Sequence, residues 1–161
     1  MAICSFQTGA RLALMLLACA GGAAAGQSTT LAVSANVLSK SNCKFDSNAV
    51  SALNFNIDPS SASDLTVSTT RTFTCNGSAN PASFSVTASN GNHASGGTRR
   101  MRHGVTLTAY LPYTLSFSPA SGSVAKGASS TLTISGTVAS ADFQPALLGS
   151  YSDTVTVTLS P

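Results

Sequence analysis

The cysteines come first among the residues able to do chemistry. The sequence holds four: Cys4, Cys19, Cys43 and Cys75. A redox pair is normally spaced Cys-x-x-Cys, and a metal centre needs further ligands; neither pattern surrounds Cys43 and Cys75. The two histidines, His93 and His103, flank a Gly-rich stretch, and the acids are five scattered aspartates with no glutamate. Asp58 reads as the start of a turn with Pro59, and Asp153 as a structural residue rather than an acid catalyst. There is no Gly-x-Ser-x-Gly elbow, His-Glu-x-x-His helix or phosphate-cradling loop in the chain. The expectation is a non-enzyme without cofactor, metal or catalytic residue.

The compartment follows from the first residues. Arg11 precedes an unbroken apolar run, Leu12 to Ala20, and small residues lead to Ala23-Ala24-Ala25-Gly26. A positive start, a short apolar core and an Ala-x-Ala exit make a secretory signal, expected over residues 1–25. The run is shorter than the roughly 20 residues a membrane-spanning helix needs. A second processing site competes: Leu16-Leu17-Ala18-Cys19 resembles a lipoprotein box, with Cys19 as the lipidated residue. The ordinary site after Ala25 is the favoured one. Export brings Cys43 and Cys75 to an oxidising compartment, where two cysteines allow one intrachain bridge. The closed loop would be worth about 3.7 kcal/mol in the chain-entropy model.

Charge excludes one class of partner. Arg99, Arg100, Arg102 and His103 form the one basic cluster, too small for a phosphate-binding surface. It reads as a solvated loop. A rival reading makes that cluster, with Tyr110 and Tyr113, a carbohydrate- or surface-binding site. No nucleic acid is expected.

The elements that must position these residues are strands. Leu31, Val33, Ala35 and Val37 alternate with other residues, as do Leu53, Phe55 and Ile57. Leu65 to Cys75 forms a longer strand, in which Arg71 falls in the apolar phase and is expected near an exposed end. Further strands are expected over 82–88, 101–107, 113–117 and 132–138, with Pro112 a break or an edge. Tyr151, Val155, Val157 and Leu159 close the chain at period two. Ser89–Gly97 and Ser118–Gly127 read as loops, and no window has helical periodicity. Short strands separated by turn signals predict an all-β sandwich of one domain.

Five local patterns carry a resemblance. They are the alternating strand before Cys43 and Phe45, the run Leu53-Asn54-Phe55 before Asp58-Pro59, and Thr72-Phe73-Thr74-Cys75. The fourth is Arg99 to Met101 with Tyr113-Thr114-Leu115. The fifth, and most specific, is Gly149, Tyr151 and Asp153 ahead of an alternating strand. Over the whole exported part, the chain resembles the spore coat protein U family, whose relatives include subunits of archaic chaperone–usher pili. The resemblance implies an all-β, immunoglobulin-like sandwich lacking its last strand, 43–161, preceded by a donor-strand segment, 26–42. Leu31, Val33, Ala35 and Val37 would insert into a neighbouring subunit. It also implies a periplasmic chaperone, an outer-membrane usher and neighbouring subunits as partners, with passage through the periplasm to the cell surface. The alternatives are that the 29–37 strand pairs within its own sheet, or that the protein is a spore or cell coat component.

Overall fold

A computed structural model describes residues 31–36, 40–47 and 51–161. The leader, both processing sites, Val37 and Val50 lie outside the described residues. The chain divides into two units, Met1–Ala35 and Asn36–Pro161. In the first, residues 31–35 belong to no helix or strand, and all are exposed.

The second unit is almost wholly β. Its strands are β1 (Ser41–Phe45), β2 (Leu65–Gly77), β3 (Ala82–Ala88), β4 (Arg99–His103), β5 (Tyr110–Ser118), β6 (Ser121–Val124), β7 (Ser129–Val138), β8 (Tyr151–Ser152) and β9 (Val157–Ser160). One turn of helix, α1 (Ser140–Phe143), follows β7. Six strands form one sheet in the order β1-β2-β7-β5-β4-β8, and three form a second in the order β6-β3-β9. Every ladder is antiparallel. The expected sandwich is therefore observed.

The alternation read from the sequence explains the layers. Along β2, Leu65, Val67, Thr69, Arg71, Phe73 and Cys75 share one face, and the opposite face carries hydroxyls. Thr66 pairs with Thr137, and Ser68 with Ser135, through their side-chain oxygens across to β7, at 2.8 Å each. The inner faces enclose two packed clusters. One holds Phe73, Cys75, Phe84, Leu132 and Ile134; the other holds Leu111, Tyr113, Val138 and Phe143. Cys43 lies opposite Cys75 in the β1–β2 register, and the two are bonded.

Several expectations need correction. The basic cluster is no loop: Arg99–His103 is β4, held between β5 and β8. The stretch after Ser118 holds β6, whose Gly122 passes under the Phe84 ring with no room for a larger residue. Arg71 is not at an exposed strand end but mid-β2, opposite Leu132. Phe143 is buried by a single helical turn too short to leave a periodic signal. Pro112 does occupy an edge-like position. There β5 pairs with β4, while its pairing with β7 starts only at Thr114.

Candidate functional site

Two expected strands do not form complete ladders among the described residues, and a cleft lies between them. Residues 51–58 join no strand, yet Leu53, Phe55 and Ile57 are half-buried while their neighbours are exposed. The segment is thus a strand in its side-chain pattern, but among the described residues its backbone joins no ladder. Leu53 and Phe55 lie on Gly136 of β7, where an added Cβ would come within 2.9 Å of Leu53 Cδ1 and 2.8 Å of Phe55 Cζ. Glycine weakens a strand on its own account, and here its missing side chain is what seats the two apolar residues.

The final strand is likewise divided. β8 ends the six-stranded sheet and β9 ends the three-stranded one, so residues 153–156 cross between layers. Among the described residues β9 pairs only with β3. A cleft of about 670 Å³ opens between residues 51–55 on one side and 151–157 on the other. Ile134, Leu115, Met101 and Thr69 line it from the inner face of the larger sheet, with Arg71 among them. The Arg71 guanidinium donates to the Ser47 carbonyl at 2.6 Å, which accounts for a charge in an apolar phase.

The crossing segment is fixed by polar contacts. Asp153 accepts the Tyr113 hydroxyl at 2.7 Å and the Asn92 amide at 2.8 Å. Burial pushes the Tyr113 hydroxyl pKa up, and the hydrogen bond and negative charge of Asp153 add to it; Arg99 opposes them. Gly91, at φ +85°, leaves space for the Asp153 carboxylate that any side chain would fill. Gly149, at φ +149°, packs against the buried His103 ring. That ring's Nδ1 accepts the Thr106 amide at 2.7 Å and the Val105 amide at 3.3 Å, so Nε2 carries the proton and donates to the Leu148 carbonyl at 3.1 Å. Tyr151 stands edge-on to His103 and donates to the Leu147 carbonyl at 2.9 Å. Gly149, Tyr151 and Asp153 therefore act together to anchor the last strand.

These contacts also occupy the side chains of the rival binding site. Tyr113 and His103 are buried, and Arg99 donates to the carbonyls of Ser89 and Ala88. Arg100 donates to the His93 carbonyl and stacks over Tyr110 at 4.2 Å. Among the described residues, no group of three or more His, Cys, Asp or Glu could hold a metal ion, and no helix is long and apolar enough to cross a membrane. Leu31, Val33 and Ala35 are exposed, the first two at 85% each. Gly136 carries a seating role that its residue type alone does not announce; its place two residues after Ile134, in an apolar phase, is the available signal.

The Spore Coat Protein U domain model matches residues 28–158, and the chain belongs to that family. No curated protein matches it. A similar solved structure comes from a chaperone–tip adhesin complex of CFA/I fimbriae. The identity is 13% and the TM-score 0.50 over 74% of this chain, a likeness of fold; the match spans 42% of that longer chain.

Proposed function

We propose that the protein is an exported structural subunit of a surface pilus, built by a chaperone and an usher and polymerised by donor-strand exchange. The observation that carries this reading is the cleft between residues 51–55 and 151–157, beside a β9 that pairs only with β3 among the described residues. Thr156 spends both backbone groups on Ser89 at the end of β3. Alternation along an extended strand turns those of Val155 and Val157 toward the cleft. An open edge beside exposed core is a liability for a free subunit and a template for strand addition. Leu31, Val33, Ala35 and Val37 have the period-two spacing of an inserting strand, and an exposed Leu31 and Val33 gain by burial. Residues 26–42 then serve as the donor segment and 43–161 as the acceptor domain, once residues 1–25 are removed. The family match and the fimbrial fold neighbour support a chaperone as the first occupant of the cleft, with the usher and further subunits following. The role is mechanical and involves no catalysis.

The test is assembly of the full chain expressed with a chaperone and usher of this class. Deleting residues 26–37 is expected to leave a subunit that folds on the chaperone and forms no fibres. Leu31→Asp with Val33→Asp should act the same way. Fibres built from the truncated chain would overturn the reading.

A further inference from the structure

Two loops at one end of the sandwich carry apolar side chains that the subunit itself does not use. Val105 and Leu107 lie in the β4–β5 turn, and Leu147 and Leu148 precede β8. All four are exposed, Leu148 completely. His103 joins the loops, since its ring bonds the amides of Val105 and Thr106 on one side and the Leu148 carbonyl on the other. The Gly104 amide adds a bond to the Ser150 carbonyl at 2.8 Å. The apolar residues thus sit on a braced platform. A cluster of this kind on an exported protein marks a contact surface.

The strand registers place this tip. Ser41 pairs with Gly77, and Thr74 with Ser129, so the starts of β1 and β7 and the end of β2 share one end of the molecule. Lys40 is there, its carbonyl accepting the amides of Ser78 and Ala79, and so is Lys126, whose amide bonds Asn80. β5 pairs Ser118 with Thr133 and Thr114 with Thr137, so Tyr110 reaches beyond the far end of β7. Arg102 opposite Tyr110, and His103 opposite Tyr151, carry the tip to that far end. Tyr151 also lines the cleft, so the tip continues from one mouth of it.

We infer that in the fibre this tip is covered by the tail end of a second copy of the chain, the end bearing Lys40 and Lys126. The inference rests on the donor-strand reading. Every ladder in the sandwich is antiparallel, and a strand added to β9 in that sense runs from the Leu159 end toward Tyr151. Leu31 enters first and Val37 ends near the tip. Three residue steps separate Val37 from Lys40, a reach of at most about 11 Å. A leash this short holds the donor's body at the tip end of the acceptor, where Leu147, Leu148 and Val105 stand exposed. The contact is head-to-tail and does not close on itself, as a fibre requires.

The test uses the full chain assembled with its chaperone and usher, carrying Lys126→Cys and Leu148→Cys together. A short thiol-specific cross-linker should give covalent ladders that survive boiling, several-fold stronger than those from Thr66→Cys with Leu148→Cys. Leu148→Cys alone should react with a maleimide several-fold more slowly in fibres than in the chaperone-bound subunit. Fibres with an equally reactive Leu148→Cys and no specific ladder would leave the tip free for solvent, a receptor or another partner. That result would overturn this inference and leave donor-strand exchange standing. Failure of the unsubstituted chain to form fibres would overturn both.

Discussion

The two walls of the cleft are built in opposite ways. The wall at 151–157 is pinned by polar bonds to fixed partners: Asp153 to Tyr113 and Asn92, and Tyr151 to Leu147. The wall at 51–57 rests on apolar packing of Leu53 and Phe55 over Gly136, with no ladder to its backbone among the described residues. Directional bonds hold a strand in one register, whereas apolar contact tolerates small shifts. On the donor-strand reading, the pinned wall presents a fixed edge and the packed wall settles around the inserted strand.

Removing the carboxylate from the pinned wall should have the largest effect. Asp153→Ala leaves a buried tyrosine hydroxyl and an amide without their acceptor, at a cost of about 2–3 kcal/mol. Denaturant unfolding of the chaperone-free subunit measures it. Phe55→Ala strips a half-buried ring from the packed wall and should cost about 1.5 kcal/mol, below the range for a fully buried ring. If Phe55→Ala proves the more damaging of the two, the contrast between the walls is wrong. Gly136→Ala sharpens it further. The new methyl pushes on the far ends of two flexible side chains, so the loss should stay near 1 kcal/mol. Combining it with Phe55→Leu should recover part of that loss, as read in the same unfolding experiment.

The pinned wall was partly legible in the sequence and the packed one only in outline. Gly149, Tyr151 and Asp153 stood out through the family resemblance, but their partners Tyr113, Asn92 and His103 lie tens of residues away. Nothing local shows that Tyr113 would reach Asp153. Leu53, Phe55 and Ile57 announced a strand, because side-chain alternation is set by burial on one face. Alternation carries no information on whether the backbone finds a neighbour, and here it does not. Arg71 misled for a related reason. A charge in an apolar phase reads as an exposed end, while the actual solution is a bond that the Arg71 guanidinium donates to the Ser47 carbonyl, in a segment that the sequence does not place nearby. β6 was missed because Ser121-Gly122-Ser123-Val124 has almost no apolar pattern; its strand form comes from pairing with β3 and from the Phe84 ring over Gly122.

The smallest effects are expected from pH, and they separate the pinned wall from the rest of the sandwich. Tyr113 has its pKa raised in the folded state by burial and by Asp153. Its contribution is therefore complete below the ordinary tyrosine value, near pH 10, and is lost as pH rises through the raised folded value. Tyr113→Phe should flatten that alkaline arm of the stability profile, and a spectroscopic titration of the native chain should lose its latest-ionising tyrosine signal in that variant. The acid arm has other owners. Asp46 is held below the usual carboxylate range chiefly by the Thr74 hydroxyl, and Asp58 by the Ser60 hydroxyl and amide. Their contribution is present above about pH 4 and lost as pH falls through the lowered folded values. Both carboxylates are exposed, so the loss should be slight. Asp46→Asn with Asp58→Asn should remove it without touching the alkaline arm. An alkaline arm that survives Tyr113→Phe unchanged would mean that the Asp153 bond does not hold the last strand, and that the two walls differ less than their contacts imply.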